Sequence, residues 1–145
     1  MAWVVAVLLF VEALGVVALN WILGIVVGRQ RMSLAGLDAD LMSVSAKIAG
    51  IVFGLYFALC GLVALLVAVR DRRPAGLGRV LLISAAVTHA LLGAFCWGLV
   101  GAAAFAYMVV VLGLIVLLLM TYDAPRAERD PAPVSPPPPP EPTAP

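Results

Sequence analysis

Charge is what this sequence has least of. Only 12% of its 145 residues are Asp, Glu, Lys or Arg, about half the share of a soluble domain. There is one Lys (Lys47), one Asn (Asn20) and one His (His89). Residues 80–122 hold no charged side chain at all. These shortages exclude much. A single histidine cannot supply a nucleophile–base–acid set, and no His, Cys or acidic cluster has metal-ligand spacing, so neither a metal nor another cofactor is expected. No glycine-rich phosphate loop follows a strand, and no basic patch suits a nucleic acid. The two cysteines, Cys60 and Cys96, form no CxxC. Counted along helices they lie at different depths, about 15 and 25 Å from one boundary, too far apart for a disulfide. Both read as small apolar packers.

Apolar surface is what the chain has in excess. The hydrophobic share is 64% and the mean hydropathy +1.13. A chain this small cannot hide so much apolar area in one aqueous core, so lipid is the expected solvent. The first apolar run extends from Ala2 to about Gly28, broken only by Glu12 and Asn20, and Arg29-Gln30-Arg31 ends it. It lacks a basic leader and is too long for a signal-peptide core, so it reads as a permanent span. A mixed stretch, Met32 to about Ala46, repeats Leu34, Leu37, Leu41 and Val44 at helical spacing, with Asp38 or Asp40 as a candidate cap. It reads as the opening of the second span in preference to an interfacial helix, because no strongly basic face accompanies the apolar one. Arg70-Asp71-Arg72-Arg73-Pro74 stops that span. Residues 80–122 are about twice as long as one crossing requires, so they must hold two helices. Gly98 and Gly101, flanking Leu99-Val100, mark the reversal.

The expected fold is therefore all-α: a four-transmembrane-helix bundle over residues 1–122, with spans at about 2–28, 47–69, 79–98 and 102–122. Residues 123–145, with an unbroken proline run from Pro136 to Pro140, read as a disordered, proline-rich cytoplasmic tail. Such a tail serves either as an inert solubilising segment or as a ligand for a cytoplasmic partner with an aromatic groove. Arg70, Arg72, Arg73, Arg79, Arg126 and Arg129 flank one side of the membrane; Arg29, Arg31 and Lys47 flank the other. Six basic residues against three put the N- and C-termini in the cytoplasm, in a plasma-membrane protein. Trp3 and Tyr122 fit the inner aromatic belt, Trp21 and Trp97 the outer.

Glu12 is the residue that a lipid-facing reading explains least. It lies about 14 Å along the first helix from Trp3, near the middle of the bilayer, where an ionised carboxylate is costly. His89 lies about 15 Å into the third helix from Arg79, which starts at the same boundary. The depths match, so Glu12 and His89 form a candidate intramembrane polar pair, serving either as a hydrogen bond between helices or as a proton or substrate site. Asn20 reads as a helix–helix hydrogen bond, and Ser84 and Thr88 as bonded to carbonyls of the preceding turn. Small residues recur every four positions: Gly24 and Gly28 in the first span, Ala46, Gly50, Gly54 and Ala58 in the second, Ala86, Ala90, Ala94 and Gly98 in the third. Such faces let backbones approach, and the first two spans are expected to cross at Gly24/Gly28 and Gly50/Gly54.

At Glu12-Ala13-Leu14-Gly15 the chain is similar to the small multidrug resistance transporters, four-helix proteins with a membrane-embedded glutamate in the first helix. The resemblance covers that tetrapeptide and the helix count. It implies that Glu12 exchanges protons for a cationic substrate within a dimer. In overall style the chain resembles small four-span integral membrane proteins of actinobacterial type, which carries no activity. The expected function is thus that of a non-enzymatic scaffold or accessory subunit, acting by helix association with a membrane-protein partner or as a homo-oligomer. A small proton-coupled exporter using Glu12 is the alternative.

Overall fold

The chain is a multi-pass membrane protein, with four helices among its described residues. A computed structural model describes residues 1–31, 36, 38–71, 74 and 76–123. The helices are α1 (Ala2–Gln30), α2 (Ala39–Arg70), α3 (Leu77–Leu99) and α4 (Ala102–Asp123). Each is long and apolar enough to cross a membrane. No strand occurs among the described residues. The tail beyond Asp123 lies outside them, as do Arg72 and Arg73.

Local chemistry sets the ends. Arg31 closes α1 in the left-handed region at φ 47°, with its N–H on the Val27 carbonyl. Asp38 caps α2, its carboxylate accepting from the Asp40 N–H at 3.1 Å, so α2 starts well before Lys47 and takes in residues 39–46. Lys47 is accommodated inside the helix, its ammonium 5.8 Å from the ring of Trp21 on α1. The reversal between α3 and α4 uses one glycine: Gly101 stands at φ 119°, and the N–H groups of Val100 and Gly101 both donate to Cys96 O, at 3.0 and 2.9 Å. Gly98 remains helical. Trp97 and Phe105 pack edge to face across this turn, ring centres 5.0 Å apart.

The helices form a square. Each packs against its two neighbours in the order α1, α2, α3, α4 and back to α1; α1 and α3 lie on one diagonal, α2 and α4 on the other, without close backbone approach. The tightest side is α1–α2. There the antiparallel register keeps small residues under the partner's backbone. A Cβ on Gly24 would stand 2.8 Å from Ser43 O and 2.9 Å from Lys47 Cγ; one on Gly50 would stand 2.6 Å from Asn20 Cβ. Gly54 fits beneath Ala13 and Val17, Gly61 beneath Ala6 and Leu9, and Gly28 against Ser43. Ser43 Oγ donates to Gly24 O at 2.6 Å and is buried. Ala46 and Ala58 are half-buried, Ala58 packing against the core. Asn20 departs from its expected role: its amide donates back to Val16 O in its own helix at 2.9 Å, because Gly50, which it covers, offers no side chain to bond. On α3 only Ala86 of the four-residue stripe is buried; Ala90, Ala94 and Gly98 are exposed.

The core is lopsided. Its largest completely enclosed side chains are Val5 and Leu9 on α1, Cys60 on α2, Leu82 and His89 on α3, and Val111, Ile115 and Leu118 on α4. They lie in the half of the bundle that holds the start of α1 and the end of α4, with His89 and Val111 at the bundle's middle. In the other half burial is confined to contacts within each hairpin: Gly24, Ser43, Gly50 and Gly54 between α1 and α2, and Gly93, whose added Cβ would meet Met108 Cβ at 3.4 Å, between α3 and α4. The molecule is a four-helix bundle at one end and two parted hairpins at the other.

Candidate functional site at the fork of the bundle

Glu12 and His89 sit where the two hairpins part. Glu12 follows Leu9 by one turn on α1, and His89 is the last completely enclosed side chain of α3. They meet across the diagonal: Glu12 Oε2 is 2.9 Å from His89 Nε2, with 9% and 1% of their side chains exposed. Phe57 of α2 packs edge-on to the imidazole, ring centres 5.6 Å apart. The pair thus links α1 to α3, helices whose backbones do not come close.

The second imidazole nitrogen fixes where the proton is. His89 Nδ1 lies 2.7 Å from the carbonyl oxygen of Ala85. A carbonyl only accepts, so Nδ1 carries a hydrogen. Nε2 then has two states. In a neutral ring it is a bare acceptor, and Glu12 donates from Oε2–H. In an imidazolium it donates to the Glu12 carboxylate. Both states place one proton on the Nε2···Oε2 contact, and both leave the pair without net charge. In both, Glu12 Oε1 is an acceptor. Oε1 is buried and has no partner, the one buried side-chain nitrogen or oxygen in that position among the described residues. Tyr107 of α4 stands beside Glu12, near enough for its hydroxyl to act on the carboxyl as a hydrogen-bond donor, but it does not close a hydrogen bond to Oε1 within bonding distance and angle.

A crevice of about 200 Å³ opens at this point. Its wall includes Glu12 and Val16 of α1, Phe57 of α2, His89 and Leu92 of α3, and Met108 of α4. It is apolar apart from the pair, it follows the fork away from the core, and it lies where α1 and α4 make little contact.

Several other polar side chains bond away from the crevice. Tyr56 Oη is 2.8 Å from Ser84 Oγ, which also reaches Leu81 O at 2.9 Å. Thr88 donates to Ser84 O at 2.9 Å. Cys60 Sγ donates to Leu81 O at 3.5 Å, and both cysteines are free. Tyr122 donates to Asp71 Oδ1 at 3.1 Å, tying the end of α4 to the end of α2. No cluster of three potential metal ligands occurs among the described residues. Tyr56 and Phe57 were not singled out by the sequence. Their signal is faint: two adjacent aromatics in an apolar run, one turning its hydroxyl to α3 and the other its ring to His89. No protein-family model matches the chain, and no curated protein or solved structure matches it.

Proposed function

We propose that this is a non-enzymatic membrane protein that binds a lipophilic small molecule in the crevice beside Glu12 and His89. The observation that carries the reading is the buried, unpartnered Oε1 of Glu12, a side chain that lines an apolar crevice. A pair that served only to join two helices would gain by satisfying both carboxyl oxygens, since an unmade buried hydrogen bond costs about 1–3 kcal/mol. The parted hairpins give a ligand lateral access from the bilayer. The reading is tested by thermal unfolding of the purified full chain against a panel of lipophilic compounds. A ligand that binds the folded state should raise the melting temperature in proportion to its occupancy. Leu92→Trp, which fills the crevice and leaves Glu12 and His89 themselves unchanged, should abolish that rise. If no compound stabilises the wild type more than Leu92→Trp, the crevice is only a packing gap.

Proton-coupled export is a second reading, favoured by the place of the carboxyl in mid-span. It requires Glu12 to release a proton when substrate binds in proteoliposomes, with none released by Glu12→Gln. Action by helix association, as a scaffold or accessory subunit, draws less support. Gly24, Gly50 and Gly54 are already committed to the α1–α2 contact, leaving the exposed α3 face at Ala90, Ala94 and Gly98 for a partner or a second copy.

Both chain ends are proposed to face the cytoplasm, because six basic residues flank that side against three on the other. With thiol labelling of intact cells, Ala35→Cys should react from outside and Ala75→Cys only after the membrane is opened. Labelling of Ala75→Cys from outside would reverse the orientation.

A further inference from the structure

The chemistry of the pair also says what the crevice should accept, an inference that rests on the reading of the crevice as a binding site. We infer that its ligand is a neutral, ring-sized amphiphile with a hydroxyl group, an alcohol or phenol, whose O–H donates to Glu12 Oε1.

Three observations lead there. First, Oε1 is an acceptor in both states of the pair, because Ala85 O holds the hydrogen on His89 Nδ1 and the single shared proton lies between Nε2 and Oε2. A ligand with only acceptors, such as an ether, ester or quinone, leaves Oε1 unmet. Second, the pair is already neutral. His89 takes the place that a cationic substrate would need at the carboxyl. A permanent cation would bring an uncompensated charge into an apolar crevice, and a quaternary ammonium has no hydrogen to give. In this respect His89 makes the site unlike one where a lone membrane glutamate faces its substrate. Third, the crevice is about 200 Å³ and apolar beyond the pair, whereas a cavity of about 150 Å³ holds benzene. A ring with a short alkyl chain fits, with Phe57 and Met108 against its body.

The test uses the full chain in nanodiscs, labelled at the methionine methyl groups, with the Met108 signal as reporter. Three probes are titrated: 4-butylphenol, 4-butylanisole, which has the same body without the O–H, and benzyltrimethylammonium. Partition into lipid is common to the first two and does not saturate, so only a saturable shift counts. The phenol should saturate with an affinity about tenfold or more above that of the anisole, the effect of one buried hydrogen bond. The cation should give no saturable shift. Glu12→Gln should keep the preference for the phenol, because its amide can donate to His89 Nε2 while its carbonyl stays free. Equal affinity for phenol and anisole in the wild type overturns the proposal. So does saturation by the cation in place of the phenol, or loss of the preference in Glu12→Gln. In those cases the crevice still binds, and only the ligand class is wrong. If none of the probes saturates, the binding reading itself falls with it.

Discussion

Leucine in place of Gly54 is expected to push α1 and α2 apart and to lower the stability of the bundle by about 3 kcal/mol. The reason is local geometry. Gly54 lies beneath α1 with Val17 Cγ2 where its Cβ would be and the Ala13 carbonyl oxygen 3.2 Å from that point. Val17 is β-branched and has little rotamer freedom in a helix, and a helix carbonyl cannot turn aside. In a membrane the contact has no hydrophobic drive of its own, since lipid tails are as apolar as the side chains. Close packing and a few hydrogen bonds hold the helices together, and one added isobutyl group removes much of the packing. Gly113 is the internal control. It is exposed on α4 with nothing within 4 Å of an added Cβ. Gly113→Leu should be neutral or slightly stabilising, because glycine is a poor helix former, by about 1 kcal/mol. Reversible denaturant unfolding of both variants measures the difference. Equal effects at the two positions would mean that α1 and α2 do not pack on this seam.

His89→Leu is expected to be the most damaging single change at the fork. It leaves both oxygens of Glu12 buried without partners, at a cost of about 1–3 kcal/mol if the carboxyl stays protonated and more if it ionises. Glu12→Gln should cost far less, since the amide reproduces the donor to Nε2. The double variant Glu12→Leu/His89→Leu should recover much of the loss, because two apolar side chains can replace a buried polar pair at nearly no cost. The resulting double-mutant cycle, measured by the same unfolding experiment, should show a coupling of about 1–3 kcal/mol. Additive effects would mean that the two side chains do not meet. Stability and ligand binding separate here: the double variant restores the fold but removes the acceptor from the crevice.

Much of this fold is written in the order of residues. The three apolar runs, the last long enough for two helices, are too long and too poor in charge for a soluble core, and the charged stretches 29–31 and 70–73 separate them. Depth was legible too, because both Glu12 and His89 can be counted from the same boundary at a fixed rise per residue. The start of the second helix was harder to place. Lys47 looks like a boundary on charge alone, yet its stem lies over Gly24 and its ammonium over Trp21, so the helix carries on through it to Asp38. Pairing was the least legible. Small residues repeat every four positions on α1, α2 and α3 alike, and nothing in the repeat says that α1 and α2 will use theirs while Ala90 and Ala94 stay exposed. Nor does any periodicity reveal the fork. It follows from where large side chains stop meeting across the square: beyond Leu9 and His89 the helices keep their own hairpin partner and lose the opposite one. The free oxygen of Glu12 is a consequence of that divergence.

The sole histidine makes the central claim open to one direct measurement. In the full chain labelled with nitrogen-15 histidine, every imidazole signal belongs to His89. In a bilayer, the spectrum should show Nδ1 carrying a hydrogen, and the Nε2 signal should shift when Glu12 is changed to Gln. A ring with a bare Nδ1 and a protonated Nε2, or an Nε2 signal indifferent to Glu12→Gln, would contradict the pair at the fork and the site built on it.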